Sequence, residues 1–446
     1  MVDVVIVGAG PAGIFAALEL ISKDPGLKIV IIEQGNDINI RSRTGKEMLI
    51  GWGGAGAYSD GKLTISTDVG GQLSSLITDD ELLRLLEYVD TLYTKYAPSG
   101  DLFIVDSDDA ETISSKARLA GLVYVPTRIR HIGTENLLIT LEKLRQDFEG
   151  KMDMRFNTHV QEILYEGDQV RGVRLFDGTI IHAPNVIAAP GRVGSSWMSH
   201  QAKSMGIETH PNPVDLGVRV ELPSVIMEHL TCKAYETKFI YYSRTFDDKV
   251  RTFCMNPYGE VVIETLGDIV TVNGHSWAKK RTENTNFALL VSADFTEPFD
   301  DPIGYGESVA KLANMLGKGV IVQRLGDLLS GRRTTHDRLQ KCSTRPTLKQ
   351  ATPGDLSYCL PYRILTDLVE MLSSLDRMAP GVNSAHTLLY GIEVKFYSNR
   401  IRLDRSLMSR INGLYIIGDG AGITRGLIQA SCSGIIAARS ILGRNQ

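Results

Sequence analysis

The chain of 446 residues carries 48 Lys plus Arg against 52 Asp plus Glu, a formal charge of −4, with 43% apolar and 22% charged residues. Those are the proportions of a globular chain with room for two or three folding units of roughly 150 residues each; they exclude a disordered chain, and no run approaches the ~18 apolar residues of a membrane-spanning helix. The small, evenly spread charge gives no sign of a nucleic-acid or anionic-membrane partner, and five scattered cysteines without a CxxC pair (Cys232, Cys254, Cys342, Cys359, Cys432) speak against a disulfide framework, a bound metal and a dithiol redox pair.

Met1 leads directly into the β-branched run Val2–Val7 without a basic leader or lipidation signal, so the expected location is the cytoplasm. That run reads as a buried parallel strand, followed by a helix over 12–22 and a second strand over 27–33, a βαβ unit. Residues 44–66 are rich in glycine and small polar residues. Asp79 and Asp80 are expected to cap a covering helix whose apolar stripe is Leu82, Leu85, Leu86, Val89 and Tyr93. After a helix over 135–149, strands at 154–165, 170–176 and 179–182, turned by Gly167-Asp168 and Asp177-Gly178, form a three-stranded meander. The strand 186–189 then returns to the parallel sheet and ends at Pro190-Gly191. From 205 to 384 the texture changes to strands (216–222, 236–242, 250–255, 260–265, 287–295, 319–323) with helices at 305–316 and 363–378, read as a second domain inserted into the first. Strands within 388–404, the segment Gly413–Gly420 and a helix over 426–442 complete the chain.

Gly8-Ala-Gly-Pro-Ala-Gly13 is a G-x-G-x-x-G between a strand and a helix. Its first glycine permits the turn, its second lets the backbone approach a pyrophosphate, and its third lets helix and strand pack closely; Gly10, Pro11, Ala12 and Gly13 open the helix under that phosphate. Glu33, 20 residues beyond Gly13, ends the second strand where a carboxylate accepts ribose hydroxyls, with Gln34 beside it. Strand, loop, helix, strand and acid in register indicate an adenine dinucleotide.

The closing run Gly418-Asp-Gly-Ala-Gly-Ile-Thr-Arg-Gly426 resembles the second flavin-contacting motif of the glutathione-reductase-type FAD superfamily. The resemblance implies FAD, with Asp419 on a ribityl hydroxyl, Gly418 and Gly420 shaping the turn, and Ile423, Thr424, Arg425 and Gly426 directing a helix N-terminus at the flavin pyrimidine, where its partial positive charge favours negative charge. The loop holding Trp52, Gly53, Gly54, Ala55, Gly56 and Lys62 resembles the small-residue loop that approaches the isoalloxazine, with Trp52 flagged as a stacking ring. Backbone near Val160 is expected to meet adenine, and Ala189 and Gly191 to return to the FAD, although Pro190 stands where a threonine is common.

Further motifs, Asn284–Ser292, Phe295–Pro302, Gln323–Leu329, Gly53–Gly56, Ser59–Lys62 and Gly420–Leu427, resemble the family of uncharacterised FAD-dependent dehydrogenases across most of the chain. The expected fold is α/β: a Rossmann-like FAD-binding domain with a three-stranded β-meander (1–204 and 385–446) plus an inserted α+β substrate or cap domain (205–384). The expected reaction is hydride transfer between FAD and a small organic substrate at the domain interface. The alternatives are a flavin monooxygenase using NAD(P)H and oxygen, and a flavin-containing RNA-modifying or macromolecule-binding protein. No second G-x-G-x-x-G supplies a nicotinamide domain, so NADH or NADPH docks transiently, or the substrate or an electron-donor or acceptor protein serves instead.

Four residues are candidates for catalysis. His275, read as a polar loop histidine, is either a proton donor or merely solvated. Glu393 and Lys395 share a strand face with Gly391 and form either a proton shuttle or a salt bridge. Arg425 is placed beside the flavin or an anionic substrate. Arg332 and Arg333 are either a clamp for a substrate carboxylate or phosphate or ordinary surface arginines. Cys432, among small residues, reads as core rather than as a reactive thiol, and Trp197 and Trp277 as ordinary aromatics.

Overall fold

The computed structural model describes residues 2–42, 48–266, 268–277, 280–293, 295, 298 and 301–443. Parts of the glycine-rich 44–66 stretch and of the Phe295–Pro302 motif lie outside the described residues. The chain divides into two compact units, the first made of 1–101, 130–212 and 397–446, the second of 102–129 and 213–396.

The first unit is built on a five-stranded parallel sheet in the order Leu414–Ile416, Asn185–Ala188, Val4–Val7, Ile29–Ile32, Asp153–Arg155. Its central strands are Val and Ile throughout and buried on both faces, as parallel strands covered by helices must be. The helix Pro11–Lys23 has proline in its first turn, where no N–H is needed. The closing helix Leu427–Ile441 lies against it so closely that a Cβ on Gly434 would stand 2.2 Å from the Ala12 carbonyl oxygen. Cys432 is buried in that small-residue seam, and burial holds its thiol well above the ordinary range. Buried Glu19 ties three helices together, accepting from Arg439 Nε at 2.9 Å and from the Tyr88 hydroxyl at 2.6 Å.

Two expectations shift by a few residues for local reasons. Thr78, not Asp79 or Asp80, caps the helix Asp79–Tyr96, its hydroxyl accepting from Glu81 N at 3.3 Å, while the acids occupy the first turn. The run 154–165 is two strands rather than one: Asp153–Arg155 joins the parallel sheet and Val160–Glu166 opens the meander with Gln169–Leu175 and Ile180–His182. Asn157, at φ 49°, makes the bend between them.

The second unit carries an eight-stranded sheet in the order Thr352–Pro353, Ile321–Arg324, Leu388–Lys395, Val214–Pro223, Asn284–Ala293, Lys249–Asn256, Lys238–Tyr242, Val123–Val125. Along Val214–Pro223 the even positions Leu216, Val218, Val220 and Leu222 join an apolar cluster with the helices Pro302–Gly317 and Tyr362–Met378. The odd positions Asp215, Arg219 and Glu221 carry buried polar groups. A hairpin, Glu260–Leu266 with Ile269–His275, forms its own two-stranded sheet.

The borders fall at 213 and 397 rather than at 205 and 385, because Leu388–Lys395 pairs along Val214–Pro223 and belongs to the second sheet. The segment 102–129 joins the same unit, its strand Val123–Val125 pairing with Lys238–Tyr242.

Candidate functional site

Five loops of the first unit converge. Gly8, at φ 104°, passes beneath Ala189, where a Cβ would stand 2.2 Å from the Ala189 carbonyl oxygen. Gly13 packs on the turn itself, its Cβ position 2.0 Å from the Gly8 oxygen. A Cβ on Gly10 would meet nothing within 4 Å. The helix begins at Gly10 without a side-chain cap or an acid in its first turn, so the N–H groups of Ala12 and Gly13 have no acceptor from a cap. This is the arrangement that receives a phosphate.

The glycine loop lies on that turn. Gly53 N donates to the Ala9 oxygen at 2.7 Å, a Cβ on Gly54 would be 3.1 Å from Gly10 Cα, and one on Gly56 would collide with Leu427 and Pro11. Gly53 is left-handed, and Ala55 sits half-buried in the 3-10 turn that follows. Two opposite charges pin the loop. Glu33 accepts from Ala9 N at 2.8 Å through one oxygen and from Gly35 N and Gly51 N, each at 2.9 Å, through the other. Arg41 donates to the Trp52, Gly54 and Met48 carbonyls at 2.6, 2.7 and 3.0 Å and lies over the Tyr58 ring. Sequence reasoning missed Arg41, because its partners are main-chain carbonyls that leave no pattern.

Glu33 therefore organises the cradle as well as facing it, with half-buried Gln34 beside it. Thr158 N donates to the Glu33 carbonyl at 3.0 Å, which brings the start of the Val160 strand to this end of the sheet. Trp52 is corrected: its ring is fully buried against Phe148 and Phe156, with Nε1 donating to the Leu141 oxygen at 2.9 Å, so it is core and does not stack on a ligand. Lys62 pairs with Asp60 at 3.1 Å. Trp197 and Trp277 each donate through Nε1, to Gln161 O and to Glu260.

The closing turn completes the cradle. Gly418 N donates to Ser433 Oγ at 3.0 Å, and a Cβ on Gly418 would be 3.0 Å from that of Ala12. Gly420 lies against Pro190 and the Gly191 oxygen. Asp419 accepts from Thr424 Oγ1 at 2.8 Å. Burial pushes its carboxyl above the ordinary range, against the opposing influence of Arg192, Thr424 and Arg425. Ile423, Thr424 and Arg425 are zipped to a second glycine pair, Gln72 N donating to the Ile423 oxygen and Arg425 N to the Gly70 oxygen, both at 2.7 Å. A Cβ on Gly71 would crowd Gln429 Oε1 at 2.5 Å. The Arg425 guanidinium lies 3.3 Å over the Tyr397 ring. At Gly426 and Gly191, both with positive φ, a Cβ meets nothing, as at Gly10, and the last helix also starts without a side-chain cap. Glycines that face open space, helix starts without caps and a buried acid fit a phosphate-bearing cofactor with a polyol chain.

In the second unit, Glu393 and Lys395 do share a face, 3.3 Å apart. Their partner, unread in the sequence, is Arg219: its Nε and Nη2 grip Glu393 at 2.7 and 2.6 Å, and all three side chains are buried. Arg219 also donates to the Cys254 carbonyl, Asn286 and Asn273, so its five N–H groups are all used. Lys395 reaches Glu264 at 3.3 Å. Glu393 is thus a locked ion-pair partner rather than a freely moving proton carrier. Gly391 does not share their face. A register shift opposite Gly217–Arg219 turns it toward Leu356, leaving Tyr390 on the polar side, where its hydroxyl donates to Glu221.

His275 ends a strand rather than sitting in a loop, paired across the hairpin with Glu260. Arg332 is held on buried Asp327 at 2.9 Å, together with Arg324 at 2.8 Å and Thr334, while Arg333 is exposed. Burial alone would raise the Asp327 carboxyl, but the hydrogen bonds from Arg324, Thr334 and Arg332 prevail and hold it at about 2. Arg332 is half exposed and spends its Nε on Asp327. Among the described residues no group of three His, Cys, Asp or Glu is placed to hold a metal ion, and no helix is long and apolar enough to cross a membrane.

Residues 213–396, the long segment of the second unit, match the family described as FAD-dependent protein, C-terminal domain-like, and residues 1–40 match the Thi4 family. The cofactor is FAD. A protein of Clostridium beijerinckii described as uncharacterized is 27% identical over 477 aligned residues, covering 98% of this chain and 80% of that protein. Among solved structures, L-proline dehydrogenase from P. horikoshii is 13% identical, covering 99% of this chain and 93% of the other with a TM-score of 0.43. Glycine oxidase from Bacillus cereus is 14% identical over 100% and 96%, with a TM-score of 0.38.

Proposed function

We propose that this FAD-dependent oxidoreductase transfers hydride between FAD and a small organic substrate, with the FAD-domain chemistry of the glutathione-reductase-type superfamily. The observation that carries the reading is the convergence, within one unit, of the Gly8–Gly13, Glu33–Gly35, Gly51–Gly56, Ala189–Gly191 and Gly418–Gly426 segments around Gly10, whose missing side chain leaves open space. FAD, when bound, supplies the hydride and one-electron chemistry.

The chain's own residues do the rest. The N–H groups of Ala12 and Gly13 receive the pyrophosphate. Glu33 and Arg41 hold the small-residue loop in shape, and Asp419 accepts a ribityl hydroxyl. The N-terminus of the last helix, beginning at Gly426, favours negative charge at the pyrimidine end. Arg425, held by Tyr397, adds a fixed positive charge at that turn. In the second unit Lys395, buried beside the Arg219–Glu393 pair and bonded to Glu393 and Glu264, is the candidate for substrate contact.

The test is the visible spectrum of the purified, FAD-loaded protein under anaerobic conditions, before and after NADH or NADPH. Rapid bleaching means that a nicotinamide reaches the isoalloxazine, and a hydroxylated product on admitting oxygen would then favour the monooxygenase over the reductase. Flavin that stays oxidised, but bleaches with an organic reductant, identifies a substrate dehydrogenase. A protein that retains no FAD after reconstitution overturns the proposal.

A further inference from the structure

A hollow of about 430 Å³ lies in the first unit behind the 423–426 turn, with Ile423 in its wall. We propose that it is a second small-molecule site, for an organic anion carrying a carboxylate or a phosphate monoester. Its volume lies within the range of small-ligand pockets. The walls divide by chemistry.

Leu76, Ile401, Leu403 and Ile423 supply an apolar lining. Two arginines stand on one edge and differ in their charge balance. Arg402 is answered by Glu208, which also receives His210 at 2.9 Å. Arg400 has no carboxylate in ion-pair range among the described residues, and its one side-chain bond is from Nη2 to Ser75 Oγ at 2.7 Å. The hollow therefore holds one uncompensated guanidinium, a group whose planar fork suits a carboxylate or phosphate.

Gln72 also lines the hollow: its backbone N–H donates to the Ile423 oxygen, and its carbonyl accepts from Ser75 Oγ, the same hydroxyl that receives Arg400. Guanidinium and apolar lining together describe a ligand with an anionic head and an apolar body.

The site stands on its own geometry, and only its influence on the flavin rests on reading 423–426 as the flavin turn. The experiment is calorimetric titration of the FAD-loaded protein with benzoate and with phenyl phosphate, which share a ring and differ in the anion. A flavin difference spectrum is recorded at each point. Saturable one-to-one binding of either probe is expected, weakened roughly tenfold or more in Arg400→Gln, as for the loss of charge-assisted hydrogen bonds. Arg118→Gln, an exposed arginine in the other unit, leaves it unchanged. The probe that binds more tightly distinguishes carboxylate from phosphate. Should Arg400→Gln fail to fold, Arg400→Lys is expected to bind with intermediate strength. Absence of saturable binding by both probes, or equal binding in the Arg400 variants, overturns the site. Binding that leaves the flavin spectrum unmoved upholds the site and counts against the flavin-turn reading alone.

Discussion

Gly10 and Gly13 stand one turn apart and are constrained by different things. Gly13 is fixed by the fold, since any side chain there meets the Gly8 backbone oxygen at 2.0 Å, whereas Gly10 has nothing of the chain in front of it. Gly13→Ala is therefore expected to lower the melting temperature of the FAD-free protein by several degrees, on the order of the ~1–3 kcal/mol that core overpacking costs. Gly10→Ala is expected to melt like the parent without FAD and to bind FAD at least ~10-fold more weakly, through loss of close backbone approach. Equal FAD affinity in Gly10→Ala would remove the pyrophosphate from this turn. The sequence announced both glycines because missing side chains at fixed spacing are visible in one dimension. It could not announce Arg41 or Arg219, whose partners are backbone carbonyls or residues on distant strands, and it misassigned Trp52 because a tryptophan inside a glycine loop looks exposed until its ring is found on Phe148 and Phe156.

Strand Leu388–Lys395 shows what alternation alone misses. Period two aligned Glu393 and Lys395 correctly, but the register shift that sends Gly391 toward Leu356 is set by the neighbouring strand and could not be read locally. The buried Arg219–Glu393 pair makes a sharp test. Arg219→Met leaves the buried Glu393 carboxylate with Lys395 alone, its two arginine hydrogen bonds gone, and is expected to destabilise the protein by about 3 kcal/mol, while Arg219→Met with Glu393→Met recovers much of that loss. Denaturant midpoints of the two variants check it, and equal loss in both would mean that the pair is not coupled. The short helix Leu325–Leu329 carries the pH dependence. Asp327 is held at about 2 in the folded protein, below the ordinary carboxylate value of ~4, so its contribution is complete above ~4 and is lost as pH falls toward 2. The melting-temperature advantage of the parent over Asp327→Asn is accordingly expected to be constant from pH 7 to 5 and to shrink between pH 4 and 2.5. An advantage that stays flat to pH 2.5 would contradict it.

At the scale of the molecule, the two-unit plan was legible from the change of texture after residue 205 and from the return of a parallel strand and helix at the end. The segment 102–129 was not, because its strand is three residues long and its helix Ser107–Leu119 buries only Ile113 and Ala117. Yet that strand covers the edge of Lys238–Tyr242, and Tyr124 lies against Phe239. A fragment of 213–396 alone therefore exposes an unpaired edge with an apolar face. It is expected to aggregate on size-exclusion chromatography, while a fusion that adds 102–129 runs as a monomer or a defined oligomer. Identical behaviour of the two fragments would show that the short strand is dispensable.

The parallel sheet of the first unit draws its strands from both ends of the chain, with Leu414–Ile416 beside Asn185–Ala188 and the last helix against the first. During synthesis, which releases the chain from its N-terminus, the nested unit can close before the outer one has its final strand and helix. Flavin loading is thereby expected to report on completeness: a ribosome that stops before Leu414 yields a product lacking the Asp419 turn and the Gly426 helix start, and under the proposed assignment of those segments to FAD such a product stays colourless.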